Sequence, residues 1–241
     1  IAFKTSWPVA FISALVILGI TYEIWNRFGA VTTYPLSMGW SEGSRYFYAS
    51  LYFSKSIYGE SIPLSTLHPT RYLLQSLPFL IPSVGLPAHR FWQFLLWIVL
   101  TAWATISIAG RVTSPNEKPV RWLLAGGLFI FFLSVGVYYH LEPMVILPMA
   151  FVSAKHPTRS LLAVIVASLW AGISRVNWFP MPAMIAVAIY LLETPFSANE
   201  TSPARKQMIA YLSRPVLWVV VGLACALIAQ AAYIPLSGNG T

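Results

Sequence analysis

Residues 8–25 read PVAFISALVILGITYEIW. One glutamate interrupts an otherwise uncharged run, long enough at about 1.5 Å per residue to cross most of a hydrocarbon core of about 30 Å. The stretch is too long for a signal peptide and lacks a small-residue cleavage site. It reads as a first membrane span. Six more apolar segments follow: Phe91–Ala109, Trp122–Tyr139, Met144–Ala154, Leu161–Gly172, Trp178–Leu192 and Val216–Tyr233. The fourth and fifth fall short of the ~20 residues that a full span needs, so they read as tilted spans or together as a re-entrant hairpin. The expected fold is an all-α integral membrane protein of about seven spans, with one long loop over 26–90 after the first.

Composition agrees with a bilayer solvent. The chain of 241 residues is 57% hydrophobic and 9% charged, with 10 Trp, 12 Tyr and 14 Phe to furnish interfacial belts. The lone Cys225 excludes an internal disulfide. A net charge of +8 has a simpler source than nucleic acid, because basic residues collect in cytoplasmic loops. With the N-terminus inside, nine of the fifteen basic residues fall in short inner segments: Lys4, Arg111, Lys118, Arg121, Lys155, Arg159, Arg205, Lys206 and Arg214. The other six, Arg27, Arg45, Lys55, Arg71, Arg90 and Arg175, fall outside, five of them in or beside the long loop. This orientation makes the Asn199–Thr201 sequon cytoplasmic, so it is discounted. The chain reads as one module over 1–241, part of a longer protein, in the plasma (inner) membrane.

The same topology gathers Glu42, His68, Arg71, His140, Glu142, Arg175 and Asn177 at the outer face, where three separate connections could converge. GWSEGSRYFYAS (39–50) reads as a helix from Ser41 to Ser54, with Ser41 as N-cap and Glu42, Arg45 or Tyr46, Ala49 and Phe53 on one face. Arg45 is then the natural partner of Glu42, three residues away. SIPLSTLHPTRYLLQSLPFLIP (61–82) reads as a proline-bounded amphipathic helix lying in the interface, with His68 and Arg71 at its start. YYHLEP (138–143) places His140 and Glu142 where an extended backbone would let both ligate one divalent metal, Mg or Mn. In GISRVNWFP (172–180), Arg175 sits at the end of a span, where a guanidinium needs a counter-charge or reaches the interface; it suits a phosphate clamp, with Asn177 beside it.

In this order, the elements resemble the N-terminal membrane module of the GT-C glycosyltransferases. These polytopic enzymes use polyprenyl-phosphate-linked sugars and include protein O-mannosyltransferases, aminoarabinose transferases of lipid A and oligosaccharyltransferases. The resemblance rests on a span, a long outer loop with an early acid (Glu42), amphipathic helices, then span pairs with a second acidic motif (Glu142). It implies Glu42 as catalytic base or metal neighbour and Arg175 near the lipid phosphate. It also implies Arg45, His68, Arg71 and Asn177 on the substrate, and a polyprenyl-phosphate sugar as donor. The family's paired acids are here His140 and Glu142. The chain has no aspartate, so any carboxylate ligand is a glutamate. Two other classes fit the layout: a lipid or solute transporter, which would favour midplane charges and internal repeats, and a non-catalytic scaffold that docks partners on its outer loop.

Overall fold

A computed structural model describes residues 6–197 and 203–239. Lys4 and the Asn199–Thr201 sequon lie outside the described residues. Among those residues there is no strand. Ten α-helices follow in order: α1 (Trp7–Phe28), α2 (Glu42–Ser50), α3 (Ser54–Tyr58), α4 (Pro69–Ser76), α5 (Leu86–Val112), α6 (Lys118–Ser134), α7 (Pro143–Phe151), α8 (Pro157–Gly172), α9 (Met181–Glu193) and α10 (Ala204–Leu236). Short 3-10 turns continue several of them. Helices satisfy every backbone group internally, which hydrocarbon requires.

Each apolar segment of the sequence is occupied by a helix. Four of them are long and apolar enough to cross a membrane: α1, α5, Val176–Glu193 (a 3-10 turn leading into α9) and α10. The other three are shorter than the hydropathy suggests. α6 stops at Ser134 because the chain turns at Gly136, whose φ of +69° is left-handed. α7 has 9 residues, or about 14 Å of helix, and carries Pro148 inside it. α8 has 16 residues.

The chain divides into two compact units. The first comprises Ile1–Phe53 and Tyr72–Glu142, in which α6 packs against both α1 and α5. α1 buries no residue, and Phe11, Leu15 and Leu18 are each at least half exposed, as a lipid-facing helix would be. A Cβ at Gly126 of α6 would stand 2.5 Å from Val16 Cγ1, so the glycine is what lets α1 approach.

The second unit comprises Ser54–Arg71 and Pro143–Thr241. Here α8 turns a face of small residues (Ser160, Ala163, Val164, Ala167, Ser168, Ala171, Gly172) inward. α10 meets it with Trp218, Gly222 and Ala226, spaced by four. Small faces let membrane helices approach closely, and dispersion then replaces the hydrophobic drive that lipid cannot supply. The closest approach is at Gly172, where a Cβ would lie 2.2 Å from the Ala226 carbonyl oxygen.

The expected helix over 61–82 is corrected here. It begins only at Pro69, as α4, and continues as a 3-10 turn over Leu77–Leu80. Residues 61–66 run without helix because their backbone bonds go elsewhere. Leu64 N donates to Ser237 O (2.8 Å), Tyr233 Oη to Ser65 O (2.8 Å) and Asn239 Nδ2 to Leu64 O (2.8 Å). A strap thus lies along the end of α10.

Gly172→Val is expected to destabilise the protein by about 2 kcal/mol or more, because the rigid Ala226 backbone must shift. Gly110→Ala, in open space on α5, is expected to be neutral or slightly stabilising. Thermal unfolding of both variants in detergent checks the contrast.

Candidate functional site

Glu42 opens α2, and Gly39 (φ +99°) supplies the turn before it. Ser41 makes no side-chain capping bond. Of the expected face, Glu42, Arg45 and Ala49 are buried, together with Ser50, while Tyr46 and Phe53 are half-buried. The partner differs from the expected one. Arg90, fully buried on α5, holds both oxygens of Glu42: Nε to Oε1 at 2.5 Å and Nη2 to Oε2 at 2.8 Å. Its remaining Nη1 donates to the Thr32 carbonyl. Arg45 instead donates to the Met38 carbonyl at 2.5 Å. A guanidinium three residues along one helix cannot present its fork to both carboxylate oxygens as squarely as one arriving from a facing helix. The signal for Arg90 was present in the sequence, since an arginine at the mouth of an apolar span demands a counter-charge.

Around this pair, Gln93 Oε1 accepts from Gln75 Nε2 at 2.8 Å and from Tyr46 Oη at 3.4 Å. Burial first, and then the charge of Glu42, hold the Tyr46 phenol above its ordinary range, so it stays a hydroxyl.

His140 and Glu142 are almost wholly buried. The 139–141 segment is a 3-10 turn and Glu142 continues it at φ −65°, ψ −30°, so the extended backbone that a shared metal requires is absent. Residues two apart on a helical turn diverge. Glu142 Oε1 accepts from Thr101 Oγ1 at 2.7 Å, and burial pushes its carboxyl up to about 8, against the Thr101 bond that favours ionisation. No group of three His, Cys or Glu among the described residues has metal-binding geometry. Glu42 and Glu142 are also anchored far apart: Arg90 and Thr101 are eleven positions along α5, about 16 Å of rise.

The remaining residues lie in the second unit. His68, Arg175 and Asn177 line one cavity of about 580 Å³ together with the 66–69 strap, residues 172–176, Gln230, Tyr233, Ile234 and Asn239. Arg71 stands close enough for its charge to act on His68. The sequence folds locally to make this. α8 ends at Gly172, Arg175 adopts an extended backbone (φ −153°) and a 3-10 turn carries Asn177. Thr70 N donates to Ile173 O, and the Thr70 and Ser174 hydroxyls meet at 2.7 Å, stapling the strap to this loop. His68 itself has φ +55°, a left-handed backbone costing a side chain about 1–2 kcal/mol. Its imidazole is held below the usual histidine range by burial, then by the charges of Arg175 and Arg71. No carboxylate lines the cavity among the described residues, and Leu67 and Val176 at its rim are largely exposed. The arrangement can hold an anion that carries an apolar tail.

The expected site residues therefore sort into two groups. Glu42, Arg45, His140 and Glu142 belong to the first unit; His68, Arg71, Arg175 and Asn177 belong to the second. Ser174, Gln230, Tyr233 and Asn239 are additional residues of the second group. Nothing in their local sequence marks them, because only the strap and the α10 terminus bring them to the cavity. Comparison with family models, curated proteins and solved structures finds no match to this chain.

Arg90→Met strands the Glu42 carboxylate in a buried setting and is expected to cost about 3–5 kcal/mol. The double variant Glu42→Leu/Arg90→Met is expected to recover most of that loss. A double-mutant cycle on detergent-solubilised protein measures the coupling.

Proposed function

We propose that this protein is a membrane glycosyltransferase module that binds a polyprenyl-phosphate-linked sugar and transfers the sugar to an acceptor hydroxyl. The observation that carries the reading is the cavity around Arg175: a guanidinium, an imidazole and neutral amides, with no lining carboxylate among the described residues and an apolar rim. A guanidinium meets two phosphate oxygens at once, and the Asn177 amide adds a neutral donor. In a desolvated site, fixed positive charge beside a departing phosphate is worth several kcal/mol of transition-state stabilisation. Leu67, Val176 and Ile234 offer the prenyl chain an apolar exit.

In this reading the chain forms one module of seven spans in the plasma (inner) membrane, with the N-terminus cytoplasmic and the 26–90 loop outside. The shorter α6, α7 and α8 complete the count beside the four long helices. The cavity then opens on the outer side, where polyprenyl-phosphate donors are consumed. Both Glu42 oxygens accept from Arg90, which anchors α2 on α5.

Arg175→Met is expected to weaken binding of farnesyl phosphate to the protein in phosphatidylcholine nanodiscs by at least tenfold. Arg175→Lys should retain part of the affinity, since it keeps charge but not the fork. Transfer from undecaprenyl-phosphate sugars should fall with Arg175→Met in parallel. Equal binding by wild type and Arg175→Met, or none by wild type, would remove the reading.

A further inference from the structure

Glycosyl transfer needs a group to take the acceptor's proton, and Glu42 does not line the cavity that holds Arg175. Among the described residues that line the cavity of Arg175, His68 is the side chain able to do so. His68 lines it from the strap, while the charged or titratable groups facing it are Arg175 after α8, Arg71 on α4 and the Tyr233 phenol on α10. Tyr233 is engaged as a donor to Ser65 O. His68 is placed there at the expense of a left-handed backbone, and non-glycine residues persist in that conformation where the surroundings over-determine them, most often at functional sites. The strap is pinned on both sides of it, at Leu64 and Ser65 to α10 and at Thr70 to Ser174.

We propose that His68 is the proton acceptor of this cavity, an assignment that rests on the transferase reading above. The acceptor oxygen forms a bond to the anomeric carbon as the bond from that carbon to the phosphate oxygen breaks. The electron pair of the broken bond stays on the phosphate, and the hydroxyl proton passes to the imidazole. A phosphodiester monoanion and a neutral imidazole become a phosphomonoester dianion and an imidazolium, so the charge of the cavity is unchanged. Burial beside two guanidinium groups keeps His68 uncharged before the step. The monoester, with a second pKa of about 6, can then carry the proton out.

The test uses the full chain in phosphatidylcholine nanodiscs, labelled at histidine Cε1, with the His68 resonance identified by its loss in His68→Asn. Asparagine tolerates the left-handed backbone, so this variant keeps the strap. Farnesyl phosphate is expected to raise the titration midpoint of His68 by about one unit or more, a tenfold gain in proton affinity. Methyl farnesyl phosphate, which lacks the second ionisation, should raise it less. With any undecaprenyl-phosphate sugar that the wild type consumes, His68→Asn should lower kcat by about 10²–10⁴-fold with donor KM little changed. If farnesyl phosphate binds through Arg175 yet the His68 midpoint does not move, or kcat survives in His68→Asn, the assignment is overturned and the phosphate reading stands. If neither phosphate binds, the transferase reading falls and takes the assignment with it.

Discussion

The Arg90–Glu42 pair is the constraint on which the first unit depends. A guanidinium near the start of an apolar helix is tolerated only with its charge matched and its donors bonded. Arg90 meets that demand by drawing Glu42 and the Thr32 carbonyl onto α5. The 28–42 connection therefore folds back, and α2 lies with Glu42, Arg45 and Ala49 inward. Once α2 is docked, Tyr46 reaches Gln93, and Gln75 closes the same polar cluster. Further along α5, Thr101 repeats the logic on a smaller scale by bonding the buried carboxyl of Glu142. Buried pairs of this kind are costly to break by removing one partner.

The second unit is organised by the opposite means. Its core is made by small residues that let α8 and α10 touch, with Trp218 and Tyr190 filling the remaining space. The approach is tightest at Gly172, which is also the last residue of α8. The chain leaves that contact directly into Ser174 and Arg175, so the same packing that joins the helices fixes where the guanidinium emerges. The strap closes the other side through backbone bonds that a helix would have consumed internally. Polar groups that look scattered along the chain become one cavity because backbone hydrogen bonds route the strap past them.

Much of the architecture was legible from hydropathy. All seven apolar segments hold helices, and the buried face of α2 follows the 3.6-residue period. What hydropathy could not judge was where each helix stops. Gly136 ends α6 early and Pro148 interrupts α7, and both act through backbone geometry that an averaged window hides. The amphipathic pattern over 61–82 misled for a related reason: side-chain periodicity was present, but Leu64 N donates to Ser237 O and the Leu64 and Ser65 carbonyls accept from Asn239 and Tyr233.

The sequence by itself determined the helical class, the apolar segments long enough to cross a membrane and the residues with chemistry to offer, because these follow from composition and from local spacing. It could not decide which of those residues meet. Arg45 was the near neighbour of Glu42 along the chain, yet Arg90, 48 positions away, bonds it. His140 and Glu142 were close in sequence and diverge on a 3-10 turn, while His68 and Arg175 were distant and share a cavity. Pairing between charged groups depends on distances and burial across elements. Those are set by helix packing and by the routing of loops, which only the tertiary structure decides.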